Sequence, residues 1–170
     1  MRVLVTATSK HGATAEIARA VGEALREAHL EADVLAPEEV DGLEGYDAVV
    51  LGSAVYMGRW LDPAKRFVDR NRRVLATRPV WLFSSGPLGD PPKPTDEAVD
   101  VAGLREATGA RDHRIFSGRL ARSDLSLAEK AIVMAFRAPE GDFRSWDEIR
   151  AWATAIAHTL QAESSETASS

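Results

Sequence analysis

Near its start the chain reads Val3-Leu4-Val5-Thr6-Ala7-Thr8-Ser9-Lys10-His11-Gly12-Ala13-Thr14, an apolar run followed by a hydroxyl-rich turn and then by helix-forming residues. This pattern predicts a buried strand that leads directly into a helix beginning near Ala13. The first backbone N–H groups of a helix have no partner within the helix and lie at the positive end of its dipole. The junction therefore has the chemistry of a phosphate site that needs no metal ion.

The predicted turn supplies more hydroxyl groups than a helix cap requires. Thr8, Ser9 and Thr14 would add hydrogen-bond donors, and Gly12 would let the backbone close around a ligand. The alternative is that Thr8 or Ser9 only caps the helix, as Ser and Thr often do. Because one cap needs one hydroxyl, the three hydroxyls around a glycine favour phosphate binding.

Composition limits both the domain organisation and the classes of function. With 170 residues, of which 45% are hydrophobic, we expect a single domain over 1–161 and a disordered tail over 162–170. A net charge of −5 argues against nucleic acid as the main partner. The chain has no Cys, which excludes disulfides, thiolate metal sites and iron–sulfur ligation, and no metal site is predicted. Redox chemistry would therefore need a bound organic cofactor.

The first residues run directly into the predicted strand without a long apolar segment. We therefore expect neither a signal peptide nor a membrane span, and a cytoplasmic protein, with peripheral membrane contact left open.

Apolar periodicity predicts strands that alternate with helices along the chain. After the first strand and its helix, the predicted strands cover 32–36, 47–52, 79–84 and 113–120, and the predicted helices cover 60–75, 96–108 and 145–160, with a shorter helix over 128–136. This order predicts an α/β fold, a flavodoxin-like doubly wound parallel sheet of five strands in the order 2-1-3-4-5, with helices on both faces. Ligands of such sheets bind beyond the carboxyl ends of the strands, so the loops after strands one, three and four matter most.

Two of these loops carry residues suited to a flat ligand. After the third predicted strand, Tyr56 and Trp60 could stack on a planar ring, although both could also pack at the sheet edge. After the fourth, the small residues of 84–89 would expose backbone N–H groups, unless they form a plain turn. A phosphate cradle, an aromatic wall and backbone groups for a polar ring edge are what flavin mononucleotide (FMN) requires, so FMN is the predicted cofactor.

Four segments resemble a known family. They are 8–14, Ser-Ala-Val-Tyr-Met-Gly at 53–58, Ser-Ser-Gly-Pro-Leu-Gly at 84–89, and 141–152. They are similar to the flavodoxin-domain branch that includes the menaquinone-dependent protoporphyrinogen oxidases, and the likeness covers nearly the whole chain except the tail. It is weakest over 127–140, where this chain has few aromatic residues and only two basic ones. The resemblance thus supports FMN binding more strongly than a porphyrin or quinone site.

The resemblance implies a flavodoxin fold that binds FMN non-covalently. It places the phosphate and ribityl end of FMN at Thr8, Ser9, Lys10, His11, Gly12, Ala13 and Thr14. It places the isoalloxazine ring between Ser53, Ala54, Val55, Tyr56, Met57 and Gly58 on one loop and Ser84, Ser85, Gly86, Pro87 and Gly89 on the other.

Two classes of redox protein fit this interpretation. The leading one is an FMN-dependent oxidoreductase acting on a small or membrane-delivered redox substrate, with quinone- or protoporphyrinogen-type chemistry included. The alternative is a flavodoxin-type electron carrier without small-molecule turnover, whose redox partner would be a protein. No residue stands out as a general acid or base, so the catalytic residues stay unassigned. A nucleotide-hydrolysing P-loop is excluded because its glycine–lysine motif is absent.

Overall fold

The computed structural model describes residues 1–86, 97–120, 125–136 and 141–168. Its strands are β1 (Arg2–Thr8), β2 (Glu31–Leu35), β3 (Ala48–Tyr56), β4 (Arg59–Trp60), β5 (Val80–Ser85), β6 (Asp112–Phe116), β7 (Arg119–Leu120) and β8 (Gly141–Asp142). Its helices are α1 (Ala13–Glu27), α2 (Asp62–Leu75), α3 (Val101–Thr108), α4 (Leu127–Phe136) and α5 (Trp146–Ala168), with a single 3₁₀ turn at Pro37–Glu39.

The main sheet has the predicted topology. Strands β2-β1-β3-β5-β6 lie side by side in that order, and every neighbouring pair is parallel. This confirms the expected α/β fold and its strand order. The short strand β4 was not predicted, and it pairs antiparallel with the end of β3.

Helices cover both faces of the sheet, so the central strands β1, β3 and β5 are mainly apolar before they reach the carboxyl edge. Helices α1 and α5 pack on one face, against side chains that include Val3 and Val5. Helices α2 and α3 pack on the other, against side chains that include Leu4 and Leu82. Every residue of β5 is buried as a result.

The strand register aligns polar residues at the carboxyl edge of the sheet. Thr8 at the end of β1 is paired with Ser53 of β3, and Ser53 is paired with Ser84 of β5. Three hydroxyl-bearing residues thus form one row across three neighbouring strands. The loops predicted to bind the ligand leave the sheet from this row.

The fifth strand of the sheet is shorter than predicted. It ends at Phe116, which is paired with Ser85, the last residue of β5. Arg119–Leu120, which the sequence predicts as part of this strand, pairs instead with Gly141–Asp142 in a separate two-stranded sheet. The helix expected over 96–108 begins at Val101.

The last helix continues to Ala168, whereas the sequence predicts a disordered tail over 162–170. The side chain of Gln161 donates to the carbonyl oxygen at the end of α1 at 2.7 Å, and Arg111 pairs with Glu163 at 2.5 Å. Hydroxyls of Ser164, Ser165 and Thr167 donate to carbonyl oxygens four residues earlier. The bonds of Gln161 and Glu163 join this part of α5 to the end of α1 and to the residue before β6. Composition did not reveal these contacts with distant residues.

No helix within the described ranges combines the length and the apolar character needed to cross a lipid bilayer.

Gly52 of β3 provides a test of the packing between β3 and β5. A Cβ atom at Gly52 would lie 2.1 Å from Cζ of the fully buried Phe83 ring. We expect Gly52→Ala to lower the free energy of unfolding by about 1–3 kcal/mol, the usual cost of overpacking a core. Gly103 of α3 has nothing within 4 Å of a Cβ position, so Gly103→Ala is the matched control. It should raise stability by about 0.5–1 kcal/mol, because alanine favours a helix over glycine. Denaturant unfolding measures both, and a neutral Gly52→Ala would contradict the packing described.

Candidate anion-binding site

The β1–α1 loop, residues 9–12, leads into α1, and the N-cap residue of α1 makes no side-chain capping bond. Gly12 holds the N-cap position in a left-handed conformation with φ of 86°, and no side chain bonds to the free N–H groups. Its carbonyl accepts the first helical bond, from Glu16 N at 3.0 Å. Neither Thr8 nor Ser9 caps the helix, so the alternative that these hydroxyls serve only as caps does not hold.

Three buried hydroxyl groups of β1 and the loop after it have no hydrogen-bond partner in the described ranges. Oγ1 of Thr6, Oγ1 of Thr8 and Oγ of Ser9 make no hydrogen bond within the described part of the chain. Thr6 is fully buried and Thr8 is 8% exposed. A buried unsatisfied hydroxyl costs about 1–3 kcal/mol. Thr8 and Ser9, which the sequence singled out, lie where β1 leads into the loop, whereas Thr6 lies within β1 in register with Leu51, on the face covered by α2 and α3.

The other two hydroxyls of the carboxyl-edge row are already satisfied internally. Oγ of Ser53 donates to the carbonyl of Ala54 at 2.8 Å and accepts from Leu61 N at 3.0 Å. Oγ of Ser84 accepts from Nε1 of Trp60 at 2.7 Å. Within the described residues, the hydroxyls at this edge that still lack a partner are therefore those of Thr8 and Ser9, at the β1–α1 junction.

Strands β3 and β4 form a tight hairpin at the mouth of the site. Met57 and Gly58 both have positive φ, 52° and 72°, as the two central residues of a type I′ turn do. Tyr56 and Met57 are exposed, at 37% and 68%. Trp60 is 2% exposed and belongs to the core, so of its two alternatives, stacking on a ligand or packing, packing is the one that holds.

Lys10 joins three separate segments of the chain. Its ammonium group lies 3.6 Å from the centre of the Tyr56 ring, over one face of that ring. The same group pairs with Oε1 of Glu129 on α4 at 2.5 Å, and Nε2 of His11 donates to that oxygen at 3.2 Å. The hydrogen bonds from Lys10, Ser126 and His11 lower the pKa of Glu129 to about 2. Sequence reasoning predicted the short helix α4 but gave Glu129 no role.

Two arginines hold the strands on either side of α4 against the same loop. Arg119 of β7 donates to the carbonyl oxygen of His11 at 3.4 Å. Arg144, whose side chain is 3% exposed, donates to the carbonyl oxygen of Ala13 at 3.3 Å and pairs with Glu16 at 2.5 Å. Arg119 and Arg144, like Glu129 of α4, therefore contact the β1–α1 loop and the start of α1 although they are more than a hundred positions away along the chain.

A linear series of three side chains, joined by hydrogen bonds, begins at Ser84 on the carboxyl edge. Ser84 donates to Nε2 of His113 at 2.8 Å, and Nδ1 of His113 donates to Glu97 at 2.9 Å. The order serine, histidine, glutamate is that of a hydrolytic triad, but Ser84 is 1% exposed and its oxygen is occupied by Trp60. These hydrogen bonds thus connect Ser84 of β5, His113 of β6 and Glu97.

The remaining predicted residues lie around the same edge where the structure describes them. Thr14 is buried in the first turn of α1, and Ala54, Val55 and Ser85 lie at the ends of β3 and β5. A Cβ atom at Gly86 would lie 3.0 Å from the carbonyl oxygen of Val55, so the third loop approaches the second closely there. Pro87 and Gly89 fall outside the described residues.

A family model described as Flavodoxin domain matches residues 4–146. The chain therefore belongs to the flavodoxin domain family. A search of curated proteins found no match.

Solved structures share the fold at low sequence identity. The chain is similar to a flavodoxin from the domain Archaea, with 19% identity and a TM-score of 0.64 over 95% of this chain and 99% of that one. It is similar to a flavodoxin of Streptococcus pneumonia TIGR4, with 20% identity and a TM-score of 0.59 over 95% and 98%. It is also similar to rubredoxin oxygen:oxidoreductase of Desulfovibrio gigas, with 14% identity and a TM-score of 0.65 over 95% of this chain but only 36% of that one.

The low pKa of Glu129 predicts that part of the free energy of unfolding is lost at acid pH. A carboxyl group whose pKa is lowered by folding stabilises the folded state above its unfolded pKa and loses that effect as the pH falls through its folded pKa. With 4.5 as the ordinary value and about 2 in the fold, the loss falls between about pH 5 and pH 2. We expect thermal unfolding to show that the wild type loses more stability across this range than Glu129→Gln does. Parallel pH profiles would contradict the ion pair with Lys10.

Proposed function

We propose that this protein binds FMN non-covalently and acts as a redox protein. The observation that supports this most strongly is the pair of buried, unpartnered hydroxyls of Thr8 and Ser9, which lie where β1 leads into the uncapped start of α1. A terminal phosphate would supply acceptors for these donors and for the free N–H groups of the first turn, and it would lie at the positive end of the helix dipole. Family membership and the flavodoxin-like fold support the same ligand.

The chain's own residues divide the binding task. The β1–α1 loop would hold the phosphate, with Thr14 and Gly12 completing the cradle. The β3–β4 hairpin offers Tyr56 as an exposed aromatic ring for the flavin, and backbone groups near Gly86 lie beside that hairpin. When bound, FMN supplies hydride or single-electron transfer, and the protein controls its potential and which partners reach it.

The leading form of this proposal is an oxidoreductase that acts on a small or membrane-delivered redox substrate. The resemblance of segments 53–58 and 84–89 to the protoporphyrinogen oxidase branch supports quinone- or porphyrinogen-type chemistry. Turnover of quinols and porphyrinogens by the FMN-loaded protein tests this form directly.

The second candidate is an electron carrier that docks on a protein partner, and exposed apolar residues favour it. Met57 is 68% exposed and Val99 is 72% exposed, and the N–H of Val99 donates to the carbonyl of Gly58, so the two lie near each other. Apolar residues at the rim of a cofactor site are suited to a protein partner. Reduction by ferredoxin-type donors without turnover of small molecules would select this candidate.

Both candidates, the oxidoreductase and the electron carrier, require that the protein bind FMN. We expect protein purified with added FMN to be yellow, with the visible absorbance of a bound flavin, and to bind FMN when titrated in a calorimeter. Properly folded protein that takes up no FMN would contradict the proposed function.

Thr8 allows stability and binding to be separated. Its hydroxyl has no partner without a ligand, so Thr8→Val should leave the stability of the free protein unchanged or higher. The same change should weaken FMN binding by about 1–3 kcal/mol, because the phosphate loses a hydrogen bond.

Thr108 is the matched control for Thr8. Its buried hydroxyl donates to the carbonyl of Leu104 at 2.8 Å, so Thr108→Val should lower stability by about 1 kcal/mol and leave FMN affinity unchanged. Thermal unfolding and calorimetric titration measure the two quantities. Equal FMN affinity in wild type and Thr8→Val would remove Thr8 from the site.

A further inference from the structure

Glu129 places a negative charge beside the loop proposed to bind phosphate. Its side chain is 9% exposed, and its Oε1 accepts from the ammonium of Lys10 and from Nε2 of His11. Lys10 also covers one face of the Tyr56 ring, so the carboxylate lies where the β1–α1 loop meets the β3–β4 hairpin. Phosphate in that loop and the carboxylate of Glu129 would be two anions close to one ammonium group.

The carboxylate is held in place from the α4 side as well. Ser126 N donates to Oε2 of Glu129 at 2.9 Å, and Glu129 N donates to Oγ of Ser126 at 3.3 Å. This reciprocal pair is a capping box at the start of α4. One carboxylate oxygen therefore caps α4 while the other binds the β1–α1 loop. A glutamine can also complete a capping box, but it carries no charge for Lys10.

We propose that Glu129 is a resident anion that competes with the phosphate group of the ligand for Lys10 and His11, and so limits the affinity of the β1–α1 loop for phosphate. This inference rests on the proposed function. Lys10 has three donor protons, of which Glu129 takes at least one, and its charge is already balanced by the carboxylate. A second anion at the same group meets like-charge repulsion that partial burial strengthens. The lowered pKa of Glu129 keeps it ionised at neutral pH.

The test compares FMN with riboflavin, which lacks the phosphate. Glu129→Gln keeps the cap of α4 and removes only the charge. We expect it to raise the affinity for FMN about tenfold and to change the affinity for riboflavin less than about twofold, at one ionic strength, since only the phosphate meets the removed charge. Glu129→Ala removes the charge together with the cap and provides a second variant, with the same phosphate-specific gain expected.

Glu163 provides the matched control. It pairs with Arg111, which directly precedes β6 and so lies at the amino edge of the sheet, opposite the proposed site. Glu163→Gln should alter neither the FMN affinity nor the riboflavin affinity.

A double-mutant cycle with Lys10→Gln tests whether the effect of Glu129 acts through Lys10. The gain in FMN affinity from Glu129→Gln should become smaller once Lys10 is replaced. A gain of the same size in that background would show that Glu129 does not compete for Lys10.

Two further results would overturn the inference. A lower FMN affinity in Glu129→Gln would mean that Glu129 positions Lys10 for the phosphate rather than competing for it. Equal changes for FMN and riboflavin would mean that the effect does not involve the phosphate.

Failure of the proposed function can be distinguished from failure of this inference. If the wild type binds no FMN, inorganic phosphate replaces it as the probe, with chloride at the same ionic strength as the control. Phosphate should then raise the melting temperature of Glu129→Gln more than that of the wild type. An equal or smaller rise would overturn the inference independently of FMN.

Discussion

Parallel hydrogen bonding within the main sheet determines where everything else in this molecule lies. Because β2, β1, β3, β5 and β6 all run in one direction, their carboxyl ends lie at a single edge of the sheet. The chain must therefore cross a face of the sheet, as a helix or loop, between one parallel strand and the next. The register then sets Thr8, Ser53 and Ser84 side by side at that edge. The loops after β1, β3 and β5 therefore begin next to one another, because the strands that carry them are neighbours in the sheet.

At this edge the fold satisfies some polar groups and leaves others without partners. Ser53 and Ser84 are consumed by internal bonds to Leu61 and Trp60, whereas the hydroxyls at the β1–α1 junction have no partner within the described residues. Folded proteins pair nearly all their buried polar groups, and exceptions call for an explanation. A ligand that supplies acceptors is the explanation that agrees with the uncapped start of α1. Arg119, Glu129 and Arg144 contact this loop and the start of α1, and Glu129 adds a negative charge.

The sequence was sufficient to predict features that depend on neighbouring residues. The run Val3–Thr8 followed by Gly12 predicted the strand, the turn and the helix, and the alternation of elements predicted the sheet order. For Trp60 the sequence left stacking and packing open, because its partner, Ser84, lies on another strand. Glu129 was missed although Ser126 and Glu129 have the spacing of a capping box, since its contact with Lys10 spans more than a hundred residues. The end of α5 depends on Gln161 meeting the end of α1, which no local pattern encodes.

The central claim is that the free N–H groups and hydroxyls between β1 and α1 receive the phosphate of a flavin nucleotide. Hydrogen–deuterium exchange of the backbone amides of residues 9–16 tests it most directly, with FMN or riboflavin added. We expect FMN to slow exchange in this segment, and riboflavin, which lacks the phosphate, to leave exchange there unchanged. Bound FMN that leaves these amides unprotected while slowing exchange elsewhere would contradict it.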